Sequence, residues 1–190
     1  MARFKSEEVE REAVRAVAAM MAASARTAPK ARGVDDIKTM IVDGEDLQVL
    51  ADAIDDEAKK KPPYLSSAYN VDADNVRKSS SVLLIGVVGN PTKIEEPMNC
   101  GACGYKSCRQ LLNARKQRGE KFGGPICIFQ AINLGIALGS AAKLASELSI
   151  DNRMMYTIGE AAKQLRFLDA DFIIGFPLSV TGKSIYFDRH

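Results

Sequence analysis

The stretch Val82-Leu83-Leu84-Ile85-Gly86-Val87-Val88 is apolar at odd and even positions alike. Side chains of a strand alternate between the two faces of a sheet, so a run with no polar face reads as a central strand buried on both sides. It also leads directly towards Cys100, the first cysteine of the chain.

Upstream of this strand, Ser6 is a candidate N-cap and Glu7 and Glu8 suit a first helical turn. Val9, Ala13, Val17, Met20 and Met21 then recur at helical spacing, which predicts a helix to about Thr27. Pro29 and Gly33 break it, and Ile37 to Val42 reads as a short strand before an Asp43-Gly44 turn. Leu47, Leu50, Ala51 and Ile54 share one face of a second helix, Glu45 to Lys60; Lys59-Lys60-Lys61 read as its solvated end and Pro62-Pro63 as its stop. Tyr64 to Ser81, with Asn70, Asp72, Asp74 and Asn75, is polar and reads as loop with about one helical turn.

Downstream, Ser107 to Arg118 reads as a helix, and Gly119, Gly123, Gly124 and Pro125 as the loop that returns the chain to Cys127. Ile128 to Leu148 is alanine-rich and apolar almost all round, which places it in the centre of a fold or at an oligomer interface. Gln130, Asn133, Lys143 and Glu147 interrupt it, against a membrane span. Thr157 with Glu160 has the spacing of a capping box for a helix to about Leu165, and Asp171 to Phe176 reads as a buried strand ending at Pro177. Ser184 to Asp188 alternates as a sheet-edge element would.

A chain of 190 residues supports one well-cored domain, 1–190, with at most a small embedded module. Hydrophobic residues make up 46% and charged residues 26%, with 26 basic and 24 acidic side chains. A net charge of +2 gives no global case for nucleic acid or an anionic membrane as partner. The acidic N-terminal segment is no signal peptide, and a cytoplasmic location follows. Reducing conditions there argue against two disulfides. His190 is the single histidine, which leaves no histidine-based triad, and Gly86-Val87-Val88-Gly89-Asn90-Pro91 lacks the third glycine of a dinucleotide fingerprint.

All four cysteines fall within 98–128: Cys100, Cys103, Cys108 and Cys127, with two, four and eighteen residues between them. Four thiolates close a coordination shell around a [4Fe–4S] cluster or a zinc ion, and the spacing leaves both open. Gly101 and Gly104 let the loop turn tightly and aim N–H groups at sulfur. Cys108 stands at an expected helix start, where the dipole favours the thiolate. Tyr105 reads as a shield against water. Lys106, Arg109, Arg115, Lys116, Arg118 and Lys121 face one acid, Glu120, between Cys100 and Cys127, a local balance of +5 that suits an anionic centre or an acidic partner protein. For each of these side chains singly, a solvated helix face is the plain alternative.

Cys100-Gly101-Ala102-Cys103-Gly104-Tyr105-Lys106-Ser107-Cys108 with Cys127 resembles the four-cysteine [4Fe–4S] module of electron-transfer complexes and corrinoid iron–sulfur proteins. Those modules carry proline after the last cysteine; here Ile128 follows, and Pro125 precedes. Met155-Tyr156-Thr157-Ile158-Gly159-Glu160-Ala161-Ala162 and Gly175-Phe176-Pro177-Leu178-Ser179-Val180-Thr181-Gly182-Lys183 are similar to an uncharacterised ferredoxin-domain family of anaerobic bacteria and archaea. The order of Ala28-Pro29, Ile37 to Val42, Val82 to Val88, Ile128 to Leu148 and Gly175-Phe176-Pro177 more distantly resembles flavin-dependent nitroreductases. That resemblance implies an α+β helix/sheet sandwich with a long central helix, here with an inserted four-cysteine loop, and a homodimer binding FMN at its interface. Lys30, Arg32 and Lys183, with Arg189, are the candidates for the FMN phosphate, since the N-terminus offers only Arg3 and Lys5. The expected function is an iron–sulfur redox protein, passing electrons to FMN or to a partner protein. Its alternative is a non-enzymatic protein whose iron–sulfur or zinc site is structural or sensory, on a scaffold that has lost flavin.

Overall fold

The computed structural model describes residues 3–118 and 121–187. Its first half runs α1 (Ser6–Thr27), a 3-10 turn (Ala31–Gly33), β1 (Ile37–Val42), α2 (Glu45–Ala58), α3 (Pro63–Arg77) and β2 (Ser81–Val87). The second half runs α4 (Cys108–Asn113), β3 (Gln117–Arg118), β4 (Gly123–Gly124), α5 (Ile128–Glu147), β5 (Asp151–Asn152), α6 (Tyr156–Gln164) and β6 (Phe172–Ser179).

The apolar stretch that includes β2 lies inside an antiparallel sheet of order β1-β2-β6-β5, and every residue of β2 is buried. Its side chains divide by alternation: Val82 and Leu84 enter a core built with α2, α3 and α6, while Leu83, Ile85 and Val87 enter one built with α1 and α5. Each fully buried side chain of this size contributes about 1.5–3 kcal/mol. Helices on both faces thus explain a strand with no polar side. α6 lies against β6 at very short range, because Gly159 meets the Ile173 carbonyl and Gly175 meets Ile158. The two stretches Met155–Ala162 and Gly175–Lys183 therefore pack on each other.

Several elements depart from the sequence reading. α1 is capped at Lys5, whose N–H donates to Glu8 at 3.2 Å, and its buried stripe is Val14, Val17, Ala18, Met21 and Ala25; Val9 and Met20 are exposed. The expected loop 64–81 is largely helix α3. Pro63 starts it at a position that needs no N–H, and Tyr69, Asp72, Ala73, Asn75 and Val76 form its buried face. Thr157 caps nothing: α6 begins after Met155, and the Thr157 hydroxyl donates to Asp72 at 2.7 Å. The helix expected over 107–118 ends at Asn113, and Gln117–Arg118 turns back to pair with Gly123–Gly124. β6 runs through Pro177 to Ser179. Gly175 exchanges both backbone bonds with Met155, so by alternation Pro177 also faces the β5 side, between that bridge and the Asp151–Ser179 pair. The Ser184–Phe187 segment is no strand, and Tyr186 is wholly buried.

Candidate metal centre

The chain leaves the scaffold after β2 and returns at Cys127, which precedes the first residue of α5. Between them, Asn99, Gly101 and Gly104 hold positive φ of 46°, 75° and 85°, and the Gly104 N–H donates to the Gly101 carbonyl at 2.9 Å. Nothing lies within 4 Å of a Cβ built on either glycine, so the backbone angle, not space, requires glycine there. The Asn99 side chain accepts from the Cys108 N–H at 2.9 Å, which closes the loop from its start to its end. Ser107 caps α4 by accepting from the Gln110 N–H at 3.2 Å.

All four cysteines are free thiols and border a single cavity. They grade from exposed Cys100, through half-buried Cys103 and Cys108, to buried Cys127. Two polar residues of α5 also line the cavity. Asn133 and Gln130 on α5 are both buried; Asn133 accepts from the Ala31 N–H at 2.8 Å and donates to Gln130 at 3.0 Å. Gln130 in turn donates to Asp36 at 2.5 Å and to the Asn90 carbonyl at 3.1 Å. Among the described residues, no three Cys, His, Asp or Glu side chains are grouped as for a single metal ion. The donor set itself, four thiols on one cavity with glycine turns between them, fits a sulfur-ligated group.

Of the candidate phosphate ligands, Arg32 borders this cavity, in left-handed backbone (φ 59°). It donates to the Glu96 carbonyl at 2.6 Å and faces the Glu96 carboxylate at 3.5 Å. Lys30 instead closes α1, donating to the carbonyls of Ala25, Arg26 and Ala28 at 2.5–2.8 Å. Burial lowers its pKa below the ordinary lysine value, against the pull of Asp35. Lys183 lies in the C-terminal segment, its carbonyl accepting from the Thr181 hydroxyl at 2.6 Å. Arg189 and His190 lie outside the described residues, as do Glu120 and the Arg118 side chain.

The basic residues around the cysteines do not form one solvated face. Lys106, Arg109 and Arg115 are exposed, but Lys116 pairs with Asp171, and Lys121 reaches Glu160 at 3.4 Å. Glu160 is nearly fully buried on α6 and also binds Lys61 at 3.1 Å and the Tyr69 hydroxyl at 2.6 Å. Lys61 is thus no solvated helix end. Burial works against its charge, yet its bonds to Glu57 and Glu160 hold its pKa above the ordinary value. Burial and Glu160 together raise that of Tyr69. Phe122, between β3 and β4, stacks on Phe172 with ring centroids 4.3 Å apart and meets Tyr156 edge-on at 5.3 Å. The part that Asp171, Asn99, Gln130 and Asn133 play around the site has no signal in the sequence, because polar residues bonding across 9 to 102 positions leave no periodic trace.

Residues 123–189 match a family described as an uncharacterised protein containing a ferredoxin domain (DUF2148). An uncharacterised protein of Archaeoglobus fulgidus is 47% identical over 178 residues, 94% of this chain and 92% of its own length. Among solved structures, a nitroreductase family protein from Clostridium novyi NT superposes with a TM-score of 0.52 at 12% identity, over 97% of this chain and 81% of that one. A BluB-like flavoprotein from Clostridium difficile 630 gives 0.54 at 16% identity, over 96% and 83%. The NADPH:FMN oxidoreductase from Vibrio harveyi gives 0.51 at 9% identity, over 96% and 61%. The α+β architecture with its long central helix is thus that of the nitroreductase family of structures.

Proposed function

Because the chain belongs to the family of uncharacterised proteins containing a ferredoxin domain, we propose that it is an iron–sulfur redox protein holding one [4Fe–4S] cluster on Cys100, Cys103, Cys108 and Cys127. The observation that carries this reading is that all four cysteines, none in a disulfide, border one cavity. Such a cluster supplies a one-electron store. The chain's own part is to hold four thiolates in a loop shaped by Gly101 and Gly104 and to bury Cys127. Cys100 stays exposed, so the solvent side of the loop is where an electron passes to a partner. Arg32 and the exposed Lys106, Arg109 and Arg115 counter the negative charge of a four-thiolate centre. In this reading 1–190 is one nitroreductase-like domain, 98–128 its embedded module, and the protein works in the cytoplasm.

A flavin-dependent, homodimeric form of the same protein is favoured by α5. Its exposed side carries Ile128, Ile132 and Ile136, between 36% and 46% exposed, beside Ala131, Gly135 and Gly139. An apolar stripe of that length on a surface helix fits a second copy. FMN would then lie at the dimer interface with its phosphate near Arg32; Lys30 would serve only by leaving the α1 carbonyls, and Lys183 by a contribution from the C-terminal segment. The rival for the cysteines is zinc in a structural or sensory site on a scaffold without flavin.

Anaerobic purification followed by iron, sulfide and zinc analysis and an absorbance spectrum tests the reading. The expected result is a brown protein with a broad band near about 400 nm that dithionite bleaches, and loss of iron in Cys108→Ser. A colourless protein with one zinc per chain, or unchanged iron in the variant, overturns it. Flavin, if bound, is released on denaturation as a fluorescent species.

A further inference from the structure

Resting on the cluster reading, we infer that Asp171, which lies outside the cysteine segment, is the positioning residue that holds Cys127 in place against the loop carrying Cys100, Cys103 and Cys108. Asp171 stands just before β6, its carboxylate mostly buried at 17% exposure. Its Oδ2 accepts from the Gly89 N–H at 2.7 Å, and the Gly89 carbonyl accepts from the Cys127 N–H at 2.8 Å. One residue therefore separates the aspartate from the backbone of the fourth thiol. The same Oδ2 takes the ammonium of Lys116, three residues beyond the end of the helix that begins at Cys108. The backbone of Asp171 completes the junction: its N–H donates to Val87 at 2.9 Å, and its carbonyl accepts from Gly123 at 3.1 Å. The departing strand, the arm after Cys108 and the β3–β4 hairpin thus all bond to Asp171, through its side chain or its backbone, and the returning Cys127 is one residue removed from it through Gly89.

Gly89 shows how closely the pieces fit. A Cβ there would lie 2.8 to 3.1 Å from three atoms of Ile126, the neighbour of Cys127. The bonds to Gly89 and Cys127 thus run through a contact in which any larger residue would have to displace the Ile126 side chain. A mostly buried carboxylate with a cation and an N–H on one oxygen belongs to the stronger class of hydrogen bond, and removing it leaves both donors without their acceptor.

The test compares wild type, Asp171→Ala, Asp171→Asn, Cys127→Ser and the Asp171→Ala/Cys127→Ser double variant, each reconstituted anaerobically. Circular dichroism checks the fold, and the readouts are iron per chain and the rate of iron release to a chelator. Asp171→Ala is expected to release iron about ten- to a hundredfold faster, as the loss of a charge-assisted bond implies. Asp171→Asn keeps an acceptor for Gly89 and loses the Lys116 charge pair, so it falls between. In the double variant the effects are not additive, because a ligand already removed cannot be mispositioned. Additive losses would assign Asp171 a general structural role and overturn the inference. Wild-type release rates in both Asp171→Ala and Asp171→Asn would do the same. If Asp171→Ala fails to fold, Asp171→Asn carries the comparison with Cys127→Ser. Absence of iron from the wild type would instead overturn the cluster reading, and this inference with it.

Discussion

Replacing Gly159 by alanine sets two effects of opposite sign against each other, and the structure decides between them. Gly159 lies inside α6, where alanine is normally better than glycine by about 1 kcal/mol. A Cβ at this position, however, would sit 1.8 Å from the carbonyl oxygen of Ile173 and 2.5 Å from its carbon. To reach even 3.0 Å, the closest approach that real Cβ atoms show, helix and strand must separate by about 1.2 Å. Neither side yields easily. Ile173 belongs to β6, held between β2 and β5, and α6 buries Ile158, Ala161 and Ala162 against it. Overpacking costs about 1–3 kcal/mol, and an obstacle made of backbone belongs at the upper end. The net expectation is a loss of about 2 kcal/mol, read as a lower urea midpoint at unchanged slope in equilibrium unfolding followed by circular dichroism. Unchanged or increased stability, the result that helix propensity alone gives, would refute the close approach of α6 to β6.

Tyr186 predicts an alkaline limb of stability. Burial, chiefly, pushes its hydroxyl from 10.0 up to about 12, so the folded chain keeps a proton that the unfolded chain releases earlier. Stability contributed by the neutral phenol is intact below pH 10 and falls as the pH rises from 10 towards 12, by on the order of 3 kcal/mol. Unfolding of wild type and Tyr186→Phe should converge across that window, and parallel curves would show that Tyr186 is not protected. On α5, Ile132→Glu places a charge on a side chain that is 46% exposed. It should leave folding stability within about 0.5 kcal/mol and convert a dimer to a monomer in sedimentation velocity; a variant that still dimerises rules out this face.

What could be read in the sequence followed local pattern. β2 declared itself because Val82, Leu83, Leu84, Ile85 and Val87 face two cores in alternation and none faces water. α2 did so because Leu47, Leu50, Ala51 and Ile54 return at helical spacing to one buried face. The cysteine spacing was legible as one local run, and its four thiols border one cavity. α3 escaped because polar residues stand where a helix normally shows an apolar stripe: Asp72 and Asn75 are buried beside Tyr69, Ala73 and Val76, and Asp72 takes the Thr157 hydroxyl from α6. Thr157 and Glu160 have capping-box spacing for the same reason inverted, since their partners lie 39 to 99 positions away. No local rule separates a carboxylate that caps its own helix from one that gathers Lys61, Tyr69 and Lys121 out of three other segments.

The way the cysteine segment is attached bears on how such a chain accommodates it. Its two ends meet, because Gly89 and Cys127 share a backbone hydrogen bond across 38 positions. Closing a loop of that length costs little more than closing a short one, so the sheet and its helices lose little by carrying the insertion. Closure alone would leave the thiols mobile relative to one another. Additional order on the later arm comes from three scaffold residues: Asp171 before β6 holds Lys116 and Gly89, Glu160 on α6 holds Lys121, and Phe172 stacks on Phe122, while Arg32 holds Glu96 on the first arm. All three hold the arm that follows Cys108 or the hairpin, whereas the loop around Cys100 bears exposed Gly101 and Ala102 and two positive-φ glycines. The segment is therefore tied to the scaffold chiefly through the arm after Cys108 and the hairpin, while Cys100 lies on the side open to solvent.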